Sequence, residues 1–557
     1  MLMTGADILV RTLIEQGCDV VFGYPGGQIL NVYDSLYKYQ DELHHVLTAH
    51  EQGAAHAADG YARSTGKPGV VIATSGPGTT NLVTGIATAY LDSIPLIAIT
   101  GNVATTKIGT DSFQELDITG VTLPITKHNY FVGSVNELAD TIREAFVLAT
   151  SGRPGPVLID VPTDVQTGKC EYEPKPKQEK EPKKPAKDVR IEEAAKTINE
   201  AEKPFVYIGG GAIAGDGYDK ILELAEKIDA PIGCSMMGIS AVPTEHPRFL
   251  GMQGMHGHYA SSMSMHHADV IIALGNRFND RVTGNKAKFA VGAKIVHLDI
   301  DGAELSKIVK AHNSLRGDIN LTLEKLIPEL KSKKNPKWWD EINEYKAKEE
   351  AGLDKRETLT PRNAILTLNK YLTPETPVAT DVGQHQMWAA QYLVFKKPRK
   401  FISSGGLGTM GFGMGAAIGS AFGTGERTVL VTGDGSFGMN LNEMITAVEN
   451  NVPLVVLLLN NGVLGMVRQW QTLFYNKHYS NTIIDRKVDY VALAKAFGAD
   501  GELVKTTEEL DKALANAFSH EGPYLIDCRI DKDEFVLPML PPGGSMDDII
   551  TEAKAGN

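Results

Sequence analysis

The stretch "GDGSFGMNLNEMITAVENNVPLVVLLLNNG", Gly433 to Gly462, decides the fold. Leu441, Met444, Ile445 and Val448 recur at i, i+3, i+4 and i+7, which predicts an amphipathic helix. Val452 to Leu459 is nearly all apolar and rich in valine and leucine, as expected of a strand buried on both faces of a parallel sheet. Thr428 to Val431 is a similar short run. The order strand, turn, helix, strand is a right-handed crossover, and it brings both turns to the carboxyl edge of one sheet. Asp434 and Asn461, one in each turn, then become neighbours. Two hard oxygen ligands beside main-chain amides suit a magnesium ion that carries a diphosphate. Alone, Gly-Asp-Gly-Ser is equally a tight turn opening a capped helix; the second polar turn shifts the balance.

Outward from this stretch the same grammar repeats. At 557 residues the chain is too long for one core. A first block offers strands at "VVFGYPGG", "HHVLTAHE", "PGVVIATSGPG", "PLIAITGN" and "GPVLIDVP". A second offers "PFVYIGGG", "DVIIALGNRF" and "KIVHLDID"; a third offers "PVATDVGQ", "TVLVTGDG", "PLVVLLLNNG" and "PYLIDCRI". Each tends to end in glycine or a small polar residue, the signature of parallel sheets with ligands at their carboxyl edges. The expected fold is α/β, with three doubly wound parallel-sheet domains at 1–169, 189–340 and 361–557. The proline- and lysine-rich segment 170–188 should be an exposed linker. The mostly polar stretch 331–361 reads as a surface helix followed by a loop, with a second linker at 341–360.

The net charge of -13 and the lack of a long basic stripe argue against nucleic acid or an acidic membrane as partner. Cys18, Cys170, Cys234 and Cys528 are scattered without a CxxC pair, which disfavours a disulfide framework or a zinc site. No apolar run approaches the ~18 residues of a membrane span. The start, "MLMTGADILVRTLIEQG", shows no secretory signal and looks like a first helix, so a cytoplasmic protein is expected.

Gly433-Asp434-Gly435-Ser436 followed by Asn460-Asn461 resembles the signature of thiamine-diphosphate-dependent enzymes. The resemblance implies that Asp434, Asn461 and the carbonyl of Val463 ligate Mg²⁺, with diphosphate oxygens and a water completing an octahedron. It places Val382, Gly383, Gln384 and His385 of "DVGQHQMW" against the diphosphate, together with Gly435 and Ser436. Gly408, Met410 and Met466 would complete the cofactor site, with Met410 beneath the bent cofactor; methionine in an apolar loop is otherwise plain core filling. In "HVLTAHEQGAAHAADGYAR" the resemblance assigns Glu51 to proton exchange with the aminopyrimidine ring. By itself Glu51 reads equally as a helix-start carboxylate favoured by the macrodipole.

The chain is further similar, from about Gly5 to Glu552, to the biosynthetic acetohydroxyacid (acetolactate) synthase catalytic subunits. "FGYPGG", "TSGPGTTNLVTGIATAYLDSIPLIAITG", "IGTDSFQE", "GMQGMHG", "RFNDRVTG", "GLGTMGFG", "NNGVLGMVRQWQ" and "VLPMLPPGGSMDDII" carry the match in order. The family's reaction is decarboxylation of pyruvate and transfer of the two-carbon unit to a second pyruvate or to 2-oxobutanoate. These products open valine, leucine and isoleucine synthesis. Gly27 would put its N–H near the reacting carbonyl oxygen, besides forming a glycine turn. Gln114 and Phe113 would line the pocket near the cofactor. Arg281 would pair with the acceptor carboxylate, and Trp470, with Met466, would shape the acceptor pocket. The bland alternatives are a surface ion pair for Arg281 and an interface aromatic for Trp470.

"YIGGGAIAG" is a weak dinucleotide fingerprint. The resemblance implies a structural, non-redox FAD there. Its contacts would be Arg153, Gly209, Gly210, Gly211, Ser235, Met236, Met237, Met255, His256, Gly275, Arg277, Arg281, Asp299, Ile300 and Asp318. It also implies a homodimer or homotetramer with active sites at the interface, and a separate small regulatory subunit. Two positions depart from the family pattern. Thr163 stands where lysine is usual, which puts a cationic contact at the channel mouth in question. Asn279 replaces a common aspartate beside the flavin site. The rivals are another thiamine-diphosphate enzyme, such as a pyruvate oxidase or 2-oxo acid decarboxylase, or a non-catalytic nucleotide-binding protein.

Overall fold

A computed structural model describes residues 1–177, 182–484 and 487–552. The expected first linker therefore lies partly outside the described residues, at 178–181. A short strand, β1 (Leu2–Thr4), leads into the first expected helix, Gly5–Glu15. The first sheet follows: β2 (Val20–Tyr24), β3 (His44–Leu47), β4 (Gly69–Ala73), β5 (Leu96–Asn102), β6 (His128–Phe131) and β7 (Pro156–Pro162). All pair in parallel, in the order β3-β2-β4-β5-β7-β6. β8 (Lys169–Glu171) pairs antiparallel with β1, so the expected linker starts inside a strand. Farther along, Ala186 donates its N–H to Thr322 Oγ1, which ties down the linker's far end.

The central sheet contains β9 (Pro204–Ile208), β10 (Ile232–Cys234), β11 (Phe249–Met252), β12 (Val270–Leu274), β13 (Lys294–Asp299) and β14 (Asn313–Arg316). Its parallel order is β11-β10-β9-β12-β13-β14. A helix, Pro336–Gly352, packs against this domain through Trp338 and Ile342, and it takes up the first part of the second expected linker. The third sheet contains β15 (Val378–Thr380), β16 (Phe401–Ile402), β17 (Thr428–Gly433), β18 (Leu454–Asn460), β19 (Asp500–Val504) and β20 (Tyr524–Arg529). Its parallel order is β16-β15-β17-β18-β20-β19.

Three parallel α/β sheets were expected and three are present. In each, the chain first runs outward on one side and then returns to the other. The reversals fall between β2 and β4, between β9 and β12, and between β15 and β17. Ligands bind at such switch points, outside the carboxyl ends of the strands.

The amphipathic helix of the opening stretch differs from expectation. It is two helices, Asp434–Asn440 and Glu443–Glu449, and the buried side of the second is Glu443, Met444, Thr446 and Ala447. Ile445 and Val448 are only half-buried. The segment lies between its own sheet and the start of helix Glu51–Thr65, so it buries a polar acid toward that helix. The two domains meet closely: helix Glu51–Thr65 packs on helix Phe412–Thr424. A Cβ at Gly419 would lie 1.7 Å from the Ala57 carbonyl oxygen, and one at Gly60 2.1 Å from that of Ala416. Only glycine allows these backbones to come so near.

Candidate active site

Asp434 begins its helix at the end of β17, beside the turn that follows β18. It is 3% exposed. Burial pushes its pKa up to about 6, against the pull of N–H groups including that of Asn461. It faces a cleft of about 310 Å³ lined also by Asn460, Gly462, Ile483, Ile484 and Arg529. Arg529 is paired with Asp527 at 2.8 Å. The Asn461 side-chain oxygen accepts from Val463 N–H at 3.1 Å, and its amide donates to Gln384 Oε1 at 3.4 Å. The Val463 carbonyl accepts no hydrogen bond among the described residues. A carboxylate buried without an ion pair among the described residues, a carbonyl with an open lone pair and a carboxamide form the donor set of a hard divalent ion.

The surrounding loops form a cradle. Ser436 Oγ donates to the Val382 carbonyl at 2.8 Å. The His385 ring lies between two glycines: a Cβ at Gly383 or at Gly433 would come within 2.8 Å of it. Burial drives the His385 pKa down to about 3, so the ring is neutral, and its Nε2 has no partner. Gly435 faces Leu464, Ile484 and the Met410 methyl, where a Cβ would sit 3.8 Å from Met410 Cε. Gly408 and Gly411 have φ of +70° and +88°, which set the turn carrying Met410. Met466 lies in the next helix, Gly465–Phe474, which also carries Trp470, edge-on to Phe474 at 5.7 Å.

Glu51, Gly27 and Gln114 belong to the first sheet. Glu51 is buried at the start of its helix, and its Oε2 accepts from Asn81 Nδ2 at 2.9 Å. A Cβ at Gly78 would lie 3.2 Å from Glu51 Oε1 and 2.8 Å from Thr74 Cγ2; Thr74 in turn accepts from Gln28 N–H at 3.2 Å. Nothing lies within 4 Å of a Cβ at Gly27, so its loop faces open space. Gln114, at φ +62°, abuts Gly76. Thr74 thus meets the loop that carries Gly27, Gly78 lies between Thr74 and Glu51, and Gly76 meets Gln114, while Phe113 is 83% exposed.

Glu443 joins the two halves. Its Oε2 accepts from Ala49 N–H at 3.1 Å and Thr446 Oγ1 at 2.7 Å, and its Oε1 has no partner. Burial, with the Glu51 carboxyl nearby, lifts its pKa. Sequence reasoning missed Thr74, Asn81, Asp381 and Glu443. Their partners are distant in sequence, and only the position of Asp381 beside Val382 pointed to one of them.

In the central crevice Gly209 and Gly211 pack against Gly275, where a Cβ at Gly209 would lie 2.2 Å from the Gly275 carbonyl oxygen. Gly210 abuts Met237, which reaches Gly405 of the third domain. Ser235 and Met236 follow β10. Asp299 is buried, its pKa raised to about 6, and Ile300 beside it is half-exposed. His256 has an unpartnered Nδ1, and Arg277 forms no ion pair among the described residues. Unsatisfied buried donors beside a glycine crevice suit a dinucleotide. Two predicted contacts are already occupied: Arg153 pairs with Glu304 at 2.6 Å, and Asp318 pairs with Lys183 at 3.0 Å and caps the next helix. Arg281 is exposed, its guanidinium 3.6 Å from the Met255 sulfur, while the Met255 carbonyl holds Leu540 of the C-terminal segment. Thr163 opens a short helix, and Asn279 is an exposed position preceding another; nothing around them explains either departure.

Comparison with known proteins agrees along the whole chain. Residues 3–121 match the N-terminal TPP binding domain of thiamine pyrophosphate enzymes. Residues 191–326 match their central domain, and 381–528 their C-terminal TPP binding domain. The chain is 43% identical over 566 residues to the acetolactate synthase isozyme 3 large subunit of Escherichia coli K12, with 98% of each chain covered. It is 44% identical over 563 residues to the acetolactate synthase large subunit of Corynebacterium glutamicum, covering 98% of this chain and 90% of that one. To the isozyme 2 large subunit of E. coli K12 it is 44% identical over 556 residues, with 98% and 99% covered.

Proposed function

The chain belongs to the thiamine pyrophosphate enzymes, with the acetolactate synthase large subunits, and from that premise we propose how its residues divide the work of joining two 2-oxo acids. It catalyses acetolactate synthesis, in which two pyruvates and one proton give 2-acetolactate and CO₂. With 2-oxobutanoate as acceptor the product is 2-aceto-2-hydroxybutanoate. The observation that carries the division of labour is Asp434, a buried carboxylate with no ion pair among the described residues, at the switch point of the third sheet.

Asp434, Asn461 and the Val463 carbonyl would hold Mg²⁺. Val382, Gly383, Gln384, His385, Gly435 and Ser436 would enclose the diphosphate, and Gly408, Met410 and Met466 the rings. When bound, thiamine diphosphate supplies a nucleophilic carbon and an electron sink for decarboxylation. Glu51 would hold the proton exchanged with the pyrimidine ring. Its Oε2 already accepts from an amide that cannot itself accept through nitrogen, so Oε1 is the atom that holds the proton. The Gly27 loop has open space on its Cβ side, and its N–H would stabilise charge developing on the substrate oxygen. Gln114 and Phe113 exclude water above it. The exposed Arg281 guanidinium takes the acceptor carboxylate in bidentate fashion, and Trp470 bounds the acceptor's side chain.

The central crevice fits FAD in a structural role, held by Gly209 to Gly211, His256, Gly275 and Arg277. Large apolar side chains are exposed, among them Phe113, Leu123, Leu407, Met439 and Ile483. A second copy of the chain covers them and brings the first domain of one copy to the third domain of the other. The relatives are named large subunits, and a small subunit is the expected further partner. No helix among the described residues is long and apolar enough to cross a membrane.

The test is a product assay with pyruvate, with and without thiamine diphosphate, Mg²⁺ and FAD. Acetolactate that depends on the first two is expected. Acetaldehyde or acetyl phosphate in its place would transfer the chain to the decarboxylases or oxidases.

A further inference from the structure

Asp381 follows directly on β15 and has no part in the chemistry above. It is 1% exposed, and its carboxylate forms no ion pair among the described residues. Instead it accepts from two segments, the turn at Gly411 and the end of β17. Oδ1 takes the main-chain N–H of Gly411 at 2.8 Å and that of Gly413 at 3.1 Å; Oδ2 takes Thr432 Oγ1 at 2.9 Å. Its own N–H donates to the Val431 carbonyl at 3.0 Å.

The partners are not arbitrary. Gly411 is the N-cap of helix Phe412–Thr424 and brings no side chain to cap it, so a remote carboxylate does so. A negative group at that end is favoured by the helix dipole. Gly413 has to be glycine for this approach: a Cβ would lie 3.0 Å from Asp381 Cγ and 2.5 Å from Leu430 Cδ1. Asn440 Nδ2 donates to the Gly411 carbonyl at 2.8 Å, so the turn after Met410 is gripped from both sides. Thr432 directly precedes Gly433 and Asp434. A cap that served only the helix would not need the bond to β17.

We propose that Asp381 is a positioning residue for the cofactor, whose carboxylate staples the Met410 turn to the end of β17 and so fixes the spacing between the ring site and the metal site. This rests on the reading of the crevice as the thiamine diphosphate site. Asp381 need not be charged to do it, because the work is done by accepting hydrogen bonds. In Asp381→Asn the carboxamide oxygen would accept from both main-chain amides, and its NH₂ would donate to Thr432 Oγ1.

The experiment titrates thiamine diphosphate with Mg²⁺ into the full-length apoprotein by calorimetry, records apoprotein Tm, and separates the cofactor's KM from kcat. In Asp381→Ala, Kd and KM for the cofactor should rise about tenfold or more as Tm falls. Asp381→Asn should stay within about threefold of the parent chain, since every bond has a counterpart. Thr506→Ala is the control: it removes a cap from helix Thr507–Ser519, outside the crevice, and should lower Tm with Kd unchanged. Should Asp381→Ala fail to fold, Thr432→Val removes one arm of the staple and should weaken binding about threefold. A Kd that stays at the parent value in Asp381→Ala, or in Thr432→Val, while Tm falls makes Asp381 a helix cap and overturns the proposal. If the parent chain itself shows no heat of binding, the crevice reading has failed, and no variant will differ from it.

Discussion

The first and third sheets are built alike and do different things. Their orders, β3-β2-β4-β5-β7-β6 and β16-β15-β17-β18-β20-β19, correspond strand for strand. Even a buried polar pair repeats. Asn102 Nδ2 donates to Asp160 at 2.6 Å between β5 and β7, and Asn460 Nδ2 donates to Asp527 at 2.9 Å between β18 and β20. The divergence lies at the strand ends. β17 runs straight into Gly433-Asp434-Gly435, an acid at a helix start. Its counterpart β4 runs into Thr74-Ser75-Gly76-Pro77, with no acid, and the carboxyl group arrives from beyond β3 as Glu51. A shared frame thus fixes where a ligand can lie. The strand that delivers the carboxylate decides whether it meets a metal or a ring.

This contrast can be broken in three ways. Glu51→Gln should cut turnover by about 100- to 10,000-fold while the cofactor's Kd stays within a few-fold, as expected for loss of a proton-transfer group. Measured kcat and titration calorimetry decide it; a large loss of binding would make the first sheet an anchor as well. Asp434→Ala should weaken Mg²⁺-dependent cofactor binding by about 100-fold, whereas Ser75→Ala, at the matching strand end of the first sheet, should change it less than about threefold. Equal losses would erase the distinction.

The third concerns pH and sharpens the role of Asp434. Its folded pKa, about 6, stands above the ordinary 3.8, because burial disfavours the charged form. The apoprotein therefore loses stability from this group as pH rises from 3.8 through about 6, and a bound cation offsets the loss. Below pH 6 a proton must leave before the carboxylate can bind metal. Mg²⁺ affinity in the presence of thiamine diphosphate should thus be about tenfold lower at about pH 5 than at about pH 7, with proton release visible in buffers of different ionisation heat. A flat profile would mean that Asp434 is not the titrating ligand.

Much of this was legible beforehand, and what was not has a pattern. Every strand announced by an apolar run is present, from β2 to β20. Within the three large sheets, the strands that went unannounced are β6, β10, β11, β14, β16 and β19, and all but β10 lie at a sheet edge. An edge strand pairs on one side only and is partly exposed, so "HNYF", "NSLR" or "DGELV" can serve without an apolar run. The helix stripe departs from expectation for a related reason. Periodicity finds one apolar face, and Glu443 is buried because a second domain covers it with main-chain donors.

The sequence by itself determined the crossovers, the glycine and acid at the strand ends, and hence the edge on which Asp434, Asn461 and Glu51 must lie, because strand burial and turn chemistry are local properties. Only the tertiary structure decided which buried polar atoms satisfy one another: Asn81 with Glu51, Glu443 with Ala49, Asp381 with Gly411, Gly413 and Thr432. A buried acceptor must find a donor within about 3 Å, and in these domains the nearest donor in space is often far away along the chain.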